Sequence, residues 1–261
     1  MTYARPSLGD DLDALPRMPS WVISTRAETP EDVAFLSGAA LAHLDVVFGR
    51  EEVPMPLLRD RLALQAAEAC VAFSGRPERA SDLRDAIHML RPGDLPGPAG
   101  ETYLCWRRAV ERPVWAKTLH HALPEVDPAR IAVWLDAAQG APVTRAAQVL
   151  EAVLTQAPRA ECPALILADT ALALALGWEH LSPVLAIGLK RADLRKRGAD
   201  LRLACHRAVT ASVLEAVRLS SDLARRTARL KAVAPKLRAK GAGAAVEMFL
   251  TRDVVAPSAM P

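Results

Sequence analysis

The chain has 261 residues, of which 51% are hydrophobic and 24% charged, and its formal net charge is +3. This balance excludes an intrinsically disordered protein, which would have fewer apolar residues and a larger net charge. The most apolar segment, 164–176, is too short to span a bilayer, so no membrane protein is predicted. The first residues are acidic and lack an apolar core, so no secretion signal is predicted either.

The composition favours helices. Aromatic residues make up only 4% of the chain, whereas alanine, leucine and arginine are abundant. These three side chains lose little conformational freedom in a helix, and no run shows the alternating pattern of a strand. We therefore predict an all-α fold of about nine to eleven helices in a single domain over 29–257, preceded by an extended arm over 1–28.

The predicted helices are separated by proline and glycine. Thr29 and Pro30 suit the cap and the first turn of a helix that runs to about Phe48. Residues 91–100 contain three prolines and three glycines, so we expect a packed loop without helix there. Further helices are predicted at about 56–74, 77–90, 101–110, 114–122, 127–139, 142–155, 164–176 and 244–251.

The longest predicted helix covers about 200–231. Leu201, Val209, Val213 and Leu223 are among the apolar residues that recur at steps of three and four, which places them on one face. Arginines occupy much of the opposite face. We predict that the shorter helices pack against this apolar face.

No metal or cofactor site is predicted. The four cysteines, 70, 105, 162 and 205, are far apart in sequence and form no CxxC pair, and no two histidines are four residues apart. Nucleotide-binding loops and hydrolase motifs are absent as well. Free thiols in helices are typical of a reducing cytosol, so a cytoplasmic location is expected.

Six segments carry a resemblance to a known family: 32–41, 61–64, 83–86, 91–100, 174–178 and 233–243. In this order they resemble the uncharacterised bacterial family known as domain of unknown function 1403, over about 29–257. The resemblance implies an alphaproteobacterial origin and an association with plasmids and other mobile elements. It implies no catalytic residue and no cofactor.

Asp169 is the unusual residue of the apolar 164–176 segment. A buried carboxylate costs several kcal/mol unless it finds a partner, so an ion pair or backbone hydrogen bonds are expected around it. The alternative is a catalytic acid or base with a raised pKa. Arg84 and His88, together with Arg91 and Asp94, lie near a rigid loop and are the other candidates. An enzyme would combine Asp169 with this 84–94 region in a buried helical pocket.

The strongest chemical signal is basic charge. Residues 190–240 contain 15 lysines and arginines and only 4 acids, a local net charge of +11. Glu215 can pair with Arg218, Asp222 with Arg225 or Arg226, and Asp193 with Arg197. At the C-terminal end of this stretch the cations Lys231, Lys236, Arg238 and Lys240 remain unpaired, and they are the predicted binding residues.

The first functional hypothesis follows from this charge. We expect a binding or regulatory protein that engages a nucleic acid or an acidic protein partner through its basic C-terminal half. Few aromatic residues accompany the lysines and arginines, so stacking on single-stranded bases is not expected. Self-association through helix packing is a third hypothesis.

Overall fold

The structure, a computed structural model, describes residues 15–91, 93–237 and 241–255, and the side chains of 116–118 are left out of the description. Most of this part of the chain is helical. It contains no β-strand, only an isolated β-bridge between Pro113 and His180. The predicted all-α single domain is confirmed. Its α-helices are α1 (Ser20–Ser24), α2 (Pro30–Phe48), α3 (Met55–Phe73), α4 (Ala80–His88), α5 (Gly97–Glu111), α6 (Ala116–Ala122), α7 (Pro128–Ala137), α8 (Pro142–Gln156), α9 (Glu161–Leu176), α10 (Val184–Gly188), α11 (Gly198–Val233) and α12 (Ala242–Thr251).

The start of α2 follows the predicted pattern. The Thr29 hydroxyl accepts a hydrogen bond from the Asp32 amide, and the Asp32 carboxylate accepts one from the Thr29 amide. These reciprocal bonds satisfy two amides that the helix leaves without partners, and Pro30 occupies the first turn. In the segment predicted as an extended arm, 20–24 form the one-turn helix α1, and Trp21 stacks on Phe35 of α2 with 5.6 Å between ring centroids.

The 36-residue helix α11 packs against some of the shorter helices and not against all of those described, since α9 packs mainly on α8 and α5 on α3. Helix α11 is slightly longer than predicted, and its buried face contacts α2, α8 and α10. The approach of α10 is very close, because a Cβ atom at Gly188 would lie only 2.3 Å from the carbonyl oxygen of Ala208. Glycine at position 188 therefore sets the distance between these two helices.

Helix α9 lies in the middle of the core. Its residues 164–173 are all buried, as expected for a helix that is apolar on every side. It pairs with α8, and it ends at Gly177, whose positive φ of 73° is the left-handed conformation that glycine adopts easily. Within the described ranges, none of the helices combines the length and apolarity needed to cross a bilayer.

One predicted boundary is wrong. Residues 97–100, assigned to a loop without helix, form the first turn of α5. Proline is tolerated in a first turn because its missing N–H would have no helical partner there, and Pro98 sits in that turn. Gly100 is required at this place, since a Cβ there would lie 2.7 Å from the Cβ of Pro96.

Candidate anion-binding site

A highly charged cavity lies between α3, α5 and the segment that follows α12. Its volume is about 670 Å³, and its wall combines arginines from three parts of the chain with His88 and two carboxylates. We call it the anion cavity. The charged residues and the histidine of its wall are Arg59, Asp60, His88, Arg107, Glu111 and Arg252.

The chain beyond α12 is held at this cavity by a buried carboxylate. The side chain of Asp253 is completely buried, and it forms ion pairs with Arg61 of α3 and with Arg84 of α4, whose Nε lies 3.3 Å from Asp253 Oδ2. The backbone N–H of Asp253 donates a 3.2 Å hydrogen bond to Asp60 Oδ2. Through these contacts Arg252 and Val254 become part of the cavity wall.

The cavity and its supporting pairs carry excess positive charge. Asp60 is shared between the Asp253 amide and Arg107, whose Nε lies 3.2 Å from Asp60 Oδ1. The half-buried Arg59 has no acidic partner within ion-pair distance among the described residues. Burial lowers the pKa of Arg59, and the more distant charge of Glu179 opposes this shift. Five arginines face three carboxylates here, namely Arg59, Arg61, Arg84, Arg107 and Arg252 against Asp60, Glu111 and Asp253.

Two neutral polar groups near these charges have no hydrogen-bond partner in the described part of the chain. They are Nε2 of His88 and the hydroxyl of Tyr103, and both atoms are buried. Burial, aided by the positive charge of Arg107, lowers the pKa of His88, so its ring is neutral near pH 7. Burial raises the pKa of Tyr103, above whose ring Arg107 lies at 5.7 Å. A ligand with acceptor and donor atoms could satisfy both groups.

Asp169 occupies a different environment. Its two carboxylate oxygens accept hydrogen bonds from the amides of Leu185, at 2.7 Å, and Ala186, at 3.1 Å. These amides belong to the first turn of α10, so the carboxylate fastens α10 to α9. Complete burial raises the pKa of Asp169 to about 8, and the backbone hydrogen bonds oppose this shift. Asp169 is absent from the wall of the anion cavity.

The structure does not bring the candidate residues of the 84–94 region together in one site. Helix α4 ends at His88, so Arg91 lies outside the helix that carries Arg84 and His88. His88 lines the anion cavity, and Arg84 forms an ion pair with Asp253 beside it. Asp94 instead caps its own turn, accepting a 3.0 Å hydrogen bond from the Arg91 amide.

The basic C-terminal residues lie on the surface. The ion pairs Glu215–Arg218, at 3.0 Å, and Asp222 with Arg225 and Arg226, at 2.6 and 2.7 Å, agree with the sequence interpretation. The predicted Asp193–Arg197 pair is wrong, because Asp193 binds Lys196 at 2.7 Å. Lys231 and Lys236 are exposed, whereas Arg238 and Lys240 lie outside the described residues.

Several residues of the anion cavity could not be assigned from the sequence. Arg59, Arg107 and Arg252 come from α3, α5 and the chain after α12, and only the tertiary fold brings them together. One feature of the sequence did point to α3 as a part of this cavity. The run Arg59-Asp60-Arg61 places three consecutive charges in the mostly apolar α3, where at least one of them must face the core side of the helix.

The comparisons identify the family and nothing beyond it. The chain belongs to the family described as "Protein of unknown function (DUF1403)", whose model matches residues 6–261. No curated protein and no solved structure matches it.

Proposed function

We propose that this member of the DUF1403 family is a binding protein, and that its ligand is a small phosphorylated molecule held in the anion cavity. The observation that carries the proposal is Arg59, a half-buried guanidinium on the cavity wall without an ion-pair partner among the described residues. A buried charge is costly unless it is paired, so a ligand anion would supply what the protein lacks.

The two arginines of the cavity wall that are unpaired among the described residues favour a ligand with two negative charges. Arg59 and Arg252 both line the cavity, and the described residues provide neither with an ion pair. A guanidinium matches the oxygens of a phosphate with two parallel hydrogen bonds, and two such groups balance the two negative charges of a phosphate monoester. The neutral His88 and the Tyr103 hydroxyl are nearby partners for the ligand's uncharged polar atoms.

Isothermal titration calorimetry with inorganic phosphate, pyrophosphate and a sugar phosphate tests the proposal. We expect saturable binding at one site, weakened at least about tenfold by Arg59→Gln, which removes one charge-assisted contact. Arg229→Gln, a charge-matched change on the exposed surface of α11, should leave binding unchanged. Equal affinity for the phosphorylated and unphosphorylated sugar, or no effect of Arg59→Gln, would contradict the proposal.

The second candidate function is binding of a nucleic acid by the end of α11. Arg229, Lys231 and Lys236 are exposed there, and none forms an ion pair among the described residues. Cations arranged along a helix attract a phosphate backbone, with an affinity that falls steeply as salt increases. The cytoplasmic location and the association with mobile elements, both expected from the sequence, stay predictions.

Fluorescence anisotropy with duplex DNA at low and high salt tests this second function. Lys231→Glu should weaken binding, whereas Arg159→Glu, an equal change of charge at another exposed position, should weaken it much less. An acidic protein partner in place of DNA would leave the anisotropy flat even at low salt. The enzyme alternative receives no support from Asp169, because both of its oxygens are occupied by backbone amides.

A further inference from the structure

A second cavity, separate from the anion cavity, lies between α2, the start of α8 and α11. It has a volume of about 530 Å³, within the range of small-molecule sites, and most of its wall is apolar. We call it the α2 groove. Along α2 its floor is formed by Ala34, Gly38, Leu41 and Ala42. No atom lies within 4 Å of the position that a Cβ of Gly38 would take, so the space above this glycine is open.

One end of the α2 groove is built from polar groups in fixed positions. Ser37 is 1% exposed, and its Oγ lies 2.6 Å from Nδ1 of His206 and 2.9 Å from the carbonyl oxygen of Ala34. A hydroxyl has one proton, which goes to the Ala34 carbonyl. The Ser37 oxygen then accepts a hydrogen bond from Nδ1–H of His206. This fixes the ring of His206 on the groove wall and leaves Nε2 as its second polar atom.

The Ser37–His206 pair is not a catalytic nucleophile and base. Ser37 lies inside α2, where the neighbouring backbone amides are used by the helix and cannot stabilise an oxyanion. Its proton is already donated to the helix backbone. The pair therefore fixes the position of the His206 ring on the groove wall.

The same end of the groove is electropositive. Arg202 precedes His206 by one helical turn and lines the groove, and its charge acts on the His206 ring. The first turn of α8 also faces the groove, and its N-cap, Ala141, has no side-chain acceptor for the amides of Val143 and Thr144. These amides add partial positive charge beside the guanidinium.

The opposite end is apolar apart from one occupied carboxylate. Asp45 is the acid of the described groove wall, and its Oδ1 accepts a 2.8 Å hydrogen bond from the indole N–H of Trp178. Asp45 follows Ser37 by eight residues along α2, a distance of about 12 Å. Between these ends run Gly38, Leu41 and Ala42, so the groove has a cationic end and an apolar body.

We propose that the α2 groove binds a small amphipathic carboxylate, with its carboxylate on Arg202 and the amides at the start of α8, and its apolar body over Gly38 toward Trp178. The occupant is argued from charge complementarity and from the apolar surface beyond the cationic end. This site is independent of the phosphate proposed for the anion cavity, so either proposal can fail alone.

Calorimetry with decanoate, below the concentration at which it forms micelles, tests this proposal, and quenching of tryptophan fluorescence by binding near Trp178 provides a second readout. We expect one saturable site, with decanol at least about tenfold weaker than decanoate because it lacks the charge. Arg202→Gln should weaken decanoate binding to a similar extent. Arg207→Gln, on the same helix but outside the groove wall, should have no effect.

A steric variant separates the groove from other apolar surfaces. Gly38→Leu places a side chain in the open space and should abolish decanoate binding, whereas Gly38→Ala should change it less than about threefold and serves as the check on folding. Phenylbutyrate in place of decanoate distinguishes an aromatic from an aliphatic body. Unchanged binding to Gly38→Leu, or decanol binding as tightly as decanoate, overturns the proposal.

Discussion

Asp253 Oδ2 lies 3.3 Å from the Nε of Arg84, and this contact joins the chain after α12 to α4. The Asp253 side chain is fully buried, whereas the side chain of Arg84 is 34% exposed. The buried Asp253 carboxylate therefore depends on its arginine partners to balance its charge, whereas water can still reach the guanidinium of Arg84. Asp253 also binds Arg61, so its loss affects α3, α4 and α12 together.

Replacing Asp253 tests this connection. Asp253→Asn removes the charge shared by Arg61 and Arg84, and we expect the free energy of unfolding to fall by about 1–3 kcal/mol, less than for a fully buried pair because the arginines keep contact with water. Hydrogen exchange should rise in α12. Asp222→Asn, which breaks two exposed ion pairs on α11, should cost only about 0.5 kcal/mol or less. Equal effects of the two changes would contradict a specific role for Asp253.

The carboxyl group of Asp169 should have a structural role. Asp169→Leu leaves the amides of Leu185 and Ala186 without acceptors, and each unpaired group costs about 1–3 kcal/mol. Asp169→Asn should cost less, because it keeps one acceptor oxygen. Thr170→Val is the matched control, since the buried Thr170 hydroxyl bonds only to its own helix at Ile166. Urea unfolding measures all three, and a stabilised Asp169→Leu variant would contradict the structural role.

The titration of Asp169 has a definite sign. Its pKa is raised from 3.8 in the unfolded chain to about 8 in the folded protein, so the folded state holds the proton more tightly. The stability that this bound proton gives the folded protein is fully present below pH 3.8 and is lost as pH rises through about 8. The stability difference between the wild type and Asp169→Asn should therefore shrink between about pH 5 and about pH 8.5, as measured by urea unfolding. A difference that grows over this interval would contradict the raised pKa.

Histidine protonation should act in the opposite direction. Burial, with the positive charge of Arg202, lowers the pKa of His206 below the value of 6.5 expected in the unfolded chain. The stability that the neutral His206 ring contributes is fully present above pH 6.5. It is lost as pH falls through the pKa of His206 in the folded protein. His206→Gln should lose less stability than the wild type between about pH 7 and about pH 5. Nuclear magnetic resonance of the imidazole protons gives the pKa directly, and a value above 6.5 would contradict this prediction.

Replacement by alanine should have opposite effects at two glycines: Gly188, at the contact between α10 and α11, and Gly38 of α2. Gly188→Ala would place a Cβ 2.3 Å from the Ala208 carbonyl oxygen, and because that atom belongs to a helix backbone, the helices must separate. We expect a loss of at least about 3 kcal/mol. Gly38→Ala meets no atom within 4 Å and should stabilise α2 by about 0.5–1 kcal/mol. Thermal unfolding of both variants checks this, and a tolerated Gly188→Ala would contradict the close approach.

Local features could be predicted from the sequence, whereas the partners of buried charges could not. The Thr29–Asp32 cap and the apolar α9 depend on residues close together in the chain, so spacing and residue type were sufficient. The need of Asp169 for partners was also predictable, because desolvation depends on its apolar neighbours. Its actual partners lie 16 and 17 residues away, on a helix too short to show a periodic pattern.

The anion cavity shows the same limit more strongly. Arg84 and His88 could be selected as an exposed cationic face at a rigid loop, but Asp253 and Arg107 join them only when α3, α4, α5 and α12 are packed. The first turn of α5 was missed because a high proline and glycine content does not distinguish a loop from a proline-initiated helix.

The packing of α2 against α11 has a consequence for synthesis on the ribosome. Ser37 and His206, which touch across this interface, are 169 residues apart, so the face of α2 that packs on α11 lacks this partner until α11 has been translated. At typical rates of about 5–20 residues per second, this delay is on the order of ten to thirty seconds. During that interval the nascent chain exposes an apolar helix face of the kind that chaperones shield. The time at which α11 leaves the ribosome thus sets when this protein can first fold.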